Sequence, residues 1–582
     1  MKQTIPTLLS LLMATSLVAA EEPNLRVQHR RPAAAVLVDG NRQLCVANRR
    51  SGSLSLVDVA TKSVSEKQIG QQLSDIVRLP ASEYSVVSDF AGGTLIVIQH
   101  AAGELNIVDR VEVSAWPESM AVSGKGDFIG VASLWSRRLT ILAPVYGADA
   151  DKVALRKLHQ IDLPFAPRAV AFVNATHLVA ADSFGGRLIV VDCVSGVKTV
   201  EHELPIHNIR QMAVDGEARL FLTCQRLNPT GYTEREDIHW GILIENELLA
   251  IEIDSLIDAD RKRSPNVERI ALGGPGEGAG DPDAILVTPE RLLVTLAGTD
   301  ELAVVERVGV RESRISTGSR PVDVIYDESS DRAFAVNMLA DSISIVDLNG
   351  AEPVDTISLG PSPQAGSVER GEAAFFNAAL SHESWLSCHS CHTDGHTNNG
   401  LADTLGDGDF GDAKRVPTLR GVWATAPWAW NGSQHQLSGQ IRKSLATTMH
   451  ASKISDELVT DLTAYVTKLN RPPSVAVARG HGPHPTVEYK AREVFEAAGC
   501  SVCHNGFTSY TTDGVYDVGL RDAHGNSQFN PPSLSGVSQR DRLLHDGRAR
   551  SVEEVLINLS HPSKDALSDK ERKVLISFLR AL

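Results

Sequence analysis

A repeat of short β-like segments over residues 30–360 constrains the fold most strongly. Each segment opens with a run such as Pro321 to Ile325 and continues, through turns, into runs such as Ser342 to Asp347. Alternating β-branched residues separated by Gly, Asn and Asp turns indicate strands. The starts are mostly ~40–50 residues apart, the period of a four-stranded propeller blade. Seven starts, and hence seven blades, are predicted near Pro32, Leu73, Pro117, Pro167, Asn208, Pro282 and Pro321.

One interval is longer than the others because it contains an insertion over residues 226–280 that ends in a glycine-rich run. Such an insertion either decorates one face of the propeller and contacts a neighbouring domain, or forms a surface loop. The blades lack the Trp-Asp signature of WD40 repeats. The run from Ala335 to Asp347 instead resembles the repeat of the YVTN family of bacterial β-propellers. That resemblance implies a scaffold, so function has to be argued from a site elsewhere.

Two Cys-x-x-Cys-His motifs lie after the repeat, at residues 388–392 and 500–504. Two cysteines at this spacing can bond the two vinyl groups of a haem, and the adjacent histidine supplies a nitrogen to the iron. Both copies are preceded by a predicted helix and followed by Pro-Thr/Ser-Leu-x-Gly-Val, an Asn/Asp-Gly turn and a closing helix. A zinc site is the alternative, but it does not explain these parallel surroundings. The sequence therefore predicts two covalently bound haems c, attached through Cys388, Cys391, Cys500 and Cys503, with His392 and His504 as proximal ligands.

The sequence thus predicts a multidomain fold, in which an N-terminal all-β seven-bladed propeller is followed by two mainly α-helical cytochrome c-like domains. Proline-rich stretches mark the linkers. The predicted boundaries are 1–20 for a signal peptide, 21–360 for the propeller, 361–473 for haem domain 1 and 484–582 for haem domain 2.

The amino terminus has the pattern of a secretory signal. Lys2 precedes an apolar run from Ile5 to Val18, and cleavage is predicted after Ala20. No later stretch is long and apolar enough to span a bilayer, so the mature chain is expected to have no integral membrane segment. A periplasmic or otherwise exported location agrees with haem attachment outside the cytoplasm. An uncleaved signal anchor is the alternative.

Charge and cysteine content limit the partners and the redox chemistry. The formal net charge of −16 argues against nucleic acid and anionic membranes, and suits a redox partner protein with a basic surface. Three cysteines, Cys45, Cys193 and Cys224, lie outside the two motifs and inside β-like runs. They are predicted to be buried thiols, with one disulfide as the alternative.

The sixth iron ligands are predicted from the spacing of the two copies. Met449 lies 57 residues after His392, and His561 lies 57 residues after His504. We therefore expect Met449 and His561 to be distal ligands. Methionine raises a haem's potential relative to a second histidine, so electrons would flow from the second haem to the first. Competing candidates are His382, His396, His435 and His450 for the first haem, and His524 and His545 for the second.

The second half resembles the bacterial di-haem cytochrome c peroxidase and MauG superfamily. The resemblance rests on the first haem motif, Pro417 to Gly421, Trp430-Asn-Gly432 and the C-terminal His545-Asp-Gly547. It implies a low-potential peroxidatic haem first, an electron-transfer haem second and a tryptophan between them. Trp430 matches that tryptophan's motif and is the candidate inter-haem relay. Its alternative role is packing at a domain seam.

The departures from that family weigh against peroxidase activity. Peroxidatic members carry a histidine where this chain has Gly406 to Phe410, and a glutamate where it has Ala446 to His450. Loss of a carboxylate that shuttles protons costs ~10²–10⁴ in rate. The residues that could substitute are Asp407, Asp409 and His450.

Three functions follow from these patterns. The first is a di-haem electron carrier whose propeller docks a redox partner. The second is an oxidoreductase of the peroxidase or MauG kind, which acts on peroxide or oxygen. The third is a binding protein in which the propeller captures a ligand and the haems sense. The sequence favours the first, because a six-coordinate haem is suited to electron transfer.

Overall fold

A computed structural model describes residues 25–582, except 102, 148–152, 217, 260–263, 309–310, 351, 483–484, 506–508, 560 and 562–566. Seven four-stranded antiparallel sheets follow one another along residues 32–358, each built from consecutive strands. Their strands are Pro32–Val38, Gln43–Asn48, Ser53–Asp58 and Val64–Gln68 in blade 1; Leu73–Arg78, Tyr84–Asp89, Thr94–Ala101 and Glu104–Glu112 in blade 2; Pro117–Val122, Ile129–Ser133, Arg138–Tyr146 and Val153–Asp162 in blade 3; Pro167–Phe172, His177–Asp182, Arg187–Asp192 and Val197–Glu203 in blade 4; Met212–Asp215, Arg219–Leu227, Ile244–Glu252 and Val267–Leu272 in blade 5; Pro282–Val287, Arg291–Leu296, Glu301–Glu306 and Glu312–Ser316 in blade 6; and Pro321–Asp327, Arg332–Asn337, Ser342–Asp347 and Glu352–Ser358 in blade 7.

These sheets confirm the predicted seven-bladed propeller. Six of the seven predicted starts coincide with the first residue of an innermost strand, and the fifth blade begins at Met212 rather than Asn208. The middle strands are buried on both faces, as in Tyr84–Asp89, because neighbouring blades cover them. The outermost strands, such as Val64–Gln68, are largely exposed and polar. The middle strands of each blade are therefore the most buried, and the outermost strand is the least.

The ring closes between blades 1 and 7 by side-chain packing and hydrogen bonds. Apolar residues of the two blades form one buried cluster around Phe334. The Asp341 carboxylate of blade 7 accepts hydrogen bonds from the backbone N–H groups of Arg30 and Arg31, at 3.1 and 2.7 Å. Each sheet takes its strands from one continuous segment, so no strand is exchanged between the two ends of the propeller.

The structure corrects the extent of the predicted insertion over residues 226–280. Strands Ile244–Glu252 and Val267–Leu272 of that segment belong to blade 5 itself. The true excursion is the loop between Leu227 and Ile244, which carries helix α1 (Arg235–His239); a second short helix, α2 (Ile253–Ile257), follows the third strand. The glycine-rich run does contact the second half of the chain, since Gly278 N donates to Glu383 O at 2.8 Å.

Residues after the propeller form helices separated by long irregular stretches. The helices are α3 (Ser367–Phe375), α4 (Cys388–Cys391), α5 (Leu437–Lys443), α6 (Asp456–Val466), α7 (Val475–Ala478), α8 (Pro485–Ala497) and α9 (Asp569–Ala581). Two π-helical turns lie at Ser444–Thr448 and Glu554–Asn558. Two small strand pairs are formed by Leu401–Ala402 with Lys414–Arg415 and by Tyr516–Asp517 with Gln528–Phe529.

Helix boundaries in this half follow capping signals in the sequence. The Ser455 hydroxyl accepts from Leu458 N at the start of α6, and Ser568 and Glu571 form a capping box at the start of α9. The first motif region packs on an apolar cluster around Phe375, and the second motif region packs on one around Phe578. The division into two cytochrome c-like domains, with the boundaries given above, stays a prediction.

Three findings bear on location and redox state. Cys45, Cys193 and Cys224 are buried and free, as predicted. None of the helices in the described part of the chain is both long and apolar enough to cross a membrane. The predicted signal peptide lies outside the described residues.

Candidate functional site

The first motif begins with the short helix α4. Ser387 caps this helix, and His392 follows its last turn. The Nδ1 atom of His392 donates to the carbonyl oxygen of Pro417 at 2.9 Å. This bond fixes the ring and its tautomer, and it leaves Nε2 as the free nitrogen for a metal. Burial lowers the pKa of His392 to about 4, so the imidazole is neutral at pH 7 and able to act as a ligand.

A cavity of about 320 Å³ lies beside this motif. Its wall brings together Cys388, Cys391, His392, Met449 and Trp430, which the sequence assigns to one haem site. Met449 is 3% exposed, and its sulfur lies 4.0 Å from the sulfur of Cys388. The wall therefore carries the predicted thioether, proximal, distal and relay residues. Their roles stay predictions.

Among the candidates for the sixth ligand of the first haem, only Met449 belongs to the described wall of this cavity. Both nitrogens of His396 are engaged, with Thr418 Oγ1 at 2.8 Å and Gln539 O at 3.1 Å. His450 Nε2 donates to Thr233 O at 2.8 Å, toward the propeller. His382 lies beside Glu383, at 3.6 Å. This arrangement favours Met449.

Two buried arginines without a carboxylate partner line the same cavity. Arg415 is 2% exposed and Arg540 is 7% exposed, and neither forms an ion pair with a described residue. Burial, together with the charge of Arg540, lowers the pKa of Arg415 to about 9. Arg540 Nε has no hydrogen-bond partner. Guanidinium groups buried in this way need an anionic partner, and haem propionates are anions, so the residues present fit a haem here.

The two motif regions are joined by backbone hydrogen bonds in both directions, and Trp430 lies at this contact. Its carbonyl oxygen accepts from Asn530 N at 2.8 Å, and the His545 carbonyl oxygen accepts from Arg415 N at 2.7 Å. The two turns match, since Ala429 and Leu544 both have positive φ, as do the glycines that close each turn. The indole Nε1 of Trp430 donates to Arg415 O at 3.0 Å. Trp430 thus occupies the seam between the two motif regions.

The second motif repeats part of this arrangement. His504 Nδ1 donates to Tyr510 O at 3.0 Å, and burial lowers the pKa of His504 to about 4. Burial also lowers the pKa of His561 from its ordinary value. Both rings are therefore neutral at pH 7. One of the two competing candidates, His545, is 3% exposed and stacks on Phe529 with ring centroids 4.4 Å apart.

Met449 and His561 lie at equal distances in sequence from their motif histidines, but they do not occupy equivalent positions in the two copies. Met449 N bonds to Ser444 O across one π-helical turn, and Leu559 N bonds to Glu554 O across the other. Leu559 is therefore the counterpart of Met449. His561 N bonds to Val555 O as Ala451 N bonds to Leu445 O, so His561 is the counterpart of Ala451. The segment between the motif histidine and the π-helical turn differs in length between the two copies. Counting residues from the two histidines therefore pairs positions that are not equivalent. The assignment of His561 as a ligand stays a prediction.

Of the three residues that could replace the missing peroxidase groups, one is ion-paired, one is exposed and one faces the propeller. Asp407 lines the cavity, but its carboxylate forms an ion pair with Lys414 at 2.9 Å. Burial opposes ionisation of Asp407, yet the bond to Lys414 lowers its pKa overall. Asp409 is exposed, and His450 faces the propeller. An ionised, paired Asp407 is a poor proton donor.

The face of the propeller that contacts the haem region is hydrogen-bonded to the first motif. Asp281 is 3% exposed and accepts hydrogen bonds from the hydroxyls of Ser387 and Ser390, at 2.5 and 2.6 Å. His207 Nε2 donates to Ser390 O at 3.0 Å. Together these contacts seat the loop of the first motif on blades 5 and 6.

Two aspartates of the haem region are each clamped by two arginines of the propeller. Asp394, two residues after His392, pairs with Arg168 and with Arg210, the latter at 3.0 Å. In the second region, Asp541 pairs with Arg137 at 2.9 Å and with Arg187 at 2.7 Å. Sequence reasoning missed both clamps, because each partner lies at least 184 residues away in the chain. The placement of Arg168 directly after the proline that starts a blade was the one available signal.

Comparisons with known proteins found similar sequences and similar folds. Residues 365–475 match the profile of the family described as di-haem cytochrome c peroxidase. The methylamine utilization protein MauG of Methylorubrum extorquens is 26% identical over 287 residues, 38% of this chain and 81% of MauG. The cytochrome c551 peroxidase of Nitrosomonas europaea is 24% identical over 281 residues, 40% of this chain and 84% of that protein. Among solved structures, a Kuenenia stuttgartiensis hydrazine synthase chain is 16% identical with a TM-score of 0.46, covering 56% of this chain and 99% of that one.

Residues 365–475, which contain the first motif, therefore match the di-haem cytochrome c peroxidase family, and the chain is similar to MauG and to a cytochrome c551 peroxidase. These matches support haem as the cofactor and a haem-based redox function.

Proposed function

We propose that this chain is an exported di-haem c-type cytochrome that transfers electrons, with the propeller docking a redox partner. The observation that carries the proposal is the position of Met449. Its sulfur lies on the wall of the same cavity as the cysteines and histidine of the first motif, and is buried. A haem with two protein ligands exchanges electrons without an open site for peroxide or oxygen.

The chain's own residues provide each function that a bound haem requires. Cys388 and Cys391 would attach the first haem, His392 and Met449 would be its ligands, and Arg415 with Arg540 would face its propionates. In the second region, Cys500, Cys503, His504 and His561 would have the corresponding roles. When bound, each haem supplies a one-electron iron couple. Trp430, at the seam, would connect the two sites.

The proposal includes two cytochrome c-like domains and a location outside the cytoplasm. The paired motif regions, each with a proximal histidine bonded to a backbone carbonyl, support two domains. The signal-like amino terminus and the need to attach haem outside the cytoplasm support export. The net charge of −16 supports a redox partner with a basic surface.

A second candidate is an oxidoreductase that acts on peroxide or oxygen. The match to a di-haem peroxidase family and to MauG favours it. The paired state of Asp407 opposes it, because peroxide cleavage needs a proton donor beside the iron. The distinction depends on whether Met449 stays bound when the second haem is reduced.

Substituting leucine for Met449 tests the proposed ligand. Leucine fills nearly the same volume but has no thioether sulfur, so the first haem should lose its sixth ligand and become high-spin. We expect one of the two haems in the Met449→Leu protein to change from low-spin to high-spin in the EPR spectrum, with loss of the absorption band typical of methionine-ligated ferric haem.

The matched control is Met212→Leu, in the buried core of the propeller. It should leave both haems low-spin. An unchanged spectrum in the Met449→Leu protein would show that Met449 is not a ligand.

A further inference from the structure

The central channel of the propeller ends in a chamber against the haem region. The channel has a volume of about 1340 Å³, and the innermost strands of the blades form its wall. We call its closed end the axial chamber. The residues that define the chamber are Arg31, Arg210 and Arg320 of the propeller and Phe376, Arg420 and Tyr465 of the haem region.

Most charges at this end of the channel are paired. Glu118 binds Arg49 and Arg168 at 2.9 and 2.8 Å. Glu372 binds Arg31 at 2.8 Å. Arg210 is shared between Asp283, at 3.3 Å, and Asp394. The acidic side chains here are thus already engaged by arginines.

Arg320 is the exception. It is 7% exposed, its guanidinium donates no hydrogen bond to any described residue, and Nε is buried without a partner. Its Cζ atom lies 3.4 Å from the ring centroid of Phe376, which holds the group flat against the chamber wall. Burial, together with the charge of Arg210, lowers the pKa of Arg320. A buried cation without an acceptor is costly, so this position calls for an anion.

Two further donor residues line the same space. The Tyr465 hydroxyl makes no hydrogen bond within the described residues, and burial together with the nearby Glu372 raises its pKa, so it stays protonated. Arg420 Nε is also buried without a partner. A planar guanidinium, a hydroxyl and a second guanidinium nitrogen match the several oxygens of one small anion.

The chamber can be reached from solvent through the propeller. The opposite end of the channel is lined by Gly124, Lys125, Ala175 and Gly216, which are exposed. Lys125 places a positive charge at this mouth. A small anion can therefore enter along the axis.

We propose that the axial chamber binds one small oxyanion or carboxylate, held by Arg320 with Tyr465 and Arg420. The chamber is distinct from the cavity beside the first motif, but Arg420 lines both, and the ring centroid of Phe376 lies 5.0 Å from that of His389 in the first motif. The ligand's occupancy would therefore be sensed close to the first haem.

Isothermal titration of the full-length holoprotein in low-chloride buffer tests the proposal. Inorganic phosphate and succinate are titrated separately. We expect saturable binding of one equivalent of at least one of them. Binding of phosphate alone would identify an inorganic oxyanion, and binding of succinate alone a carboxylate. Arg320→Gln should weaken binding at least about tenfold, the loss expected for a charged hydrogen bond, and Arg320→Lys should weaken it less.

The matched control is Arg110→Gln, on the exposed outer strand of blade 2, which should bind as the wild-type protein does. A second measurement needs no variant: crystals soaked in selenate should give an anomalous peak within hydrogen-bond distance of the Arg320 guanidinium. Absence of saturable binding of both anions, unchanged binding by Arg320→Gln, or an empty chamber in the selenate crystals would overturn the proposal.

Discussion

Replacement of Asp394 by alanine is expected to destabilise the haem region by about 3 kcal/mol. The carboxylate is the shared partner of Arg168 and Arg210, and its removal leaves both guanidinium groups short of one partner in a buried interface. Breaking a buried ion pair costs ~3–5 kcal/mol. The lower end applies because Arg168 keeps Glu118 and Arg210 keeps Asp283.

Urea unfolding followed by haem absorbance measures this effect, because His392 lies two residues from the clamp. Asp409→Ala, at an exposed aspartate of the same region, is the control and should change stability by less than about 0.5 kcal/mol. Equal midpoints for the two variants would contradict a structural role for the clamp.

The clamp also has a pH signature. Burial opposes ionisation of Asp394, but Arg168 and Arg210 bring its pKa well below the ordinary value of 3.8. A lowered pKa in the folded state stabilises the protein above the unfolded-state pKa, and this stabilisation is lost as the pH falls through the folded-state value. The difference between wild-type and Asp394→Ala should therefore be constant at neutral pH and shrink only below about pH 4.

Replacement of Trp430 by leucine is expected to slow electron transfer between the two haems at least about tenfold, equivalent to ~1.4 kcal/mol of activation free energy. The indole lines the cavity of the first motif, and the backbone of Trp430 is bonded to the second region through Asn530. Leucine keeps apolar packing at the seam but removes the aromatic ring. The measurement is the intramolecular transfer rate after rapid reduction of one haem.

Trp423→Leu is the matched control, since this tryptophan is 61% exposed and lies in the same region outside the cavity wall. Its rate should equal that of the wild-type protein. If Trp430→Leu also transfers electrons at the wild-type rate, Trp430 is a packing residue of the seam.

The sequence was sufficient for features that depend on local pattern. The blade period predicted the propeller, because alternation and turn residues recur within each blade, as from Pro321 to Asp347. The motif residues Cys388, Cys391 and His392 lie on one cavity wall because their spacing is set within a single helical turn. Capping serines likewise located the starts of α6 and α9.

Features that depend on distant contacts were not predictable. The clamp of Asp394 by Arg168 joins residues 226 apart, and no local signal specifies such a pair. Blade 5 was misjudged because its second strand, Arg219–Leu227, and its third, Ile244–Glu252, are separated by a loop with its own helix. The equivalence of Met449 with His561 failed because the two copies differ in length before their π-helical turns.

The coordination of the first haem in the half-reduced protein tests the central claim most directly. EPR and optical spectra are recorded for the fully oxidised and half-reduced holoprotein, with and without hydrogen peroxide. An electron carrier with Met449 bound should have its first haem reduced and six-coordinate at half-reduction, because that haem has the higher potential, while the second haem stays ferric and low-spin; peroxide should leave the spectra unchanged. A high-spin haem that forms at half-reduction and reacts with peroxide would contradict the electron-carrier account and establish the peroxidase-like alternative.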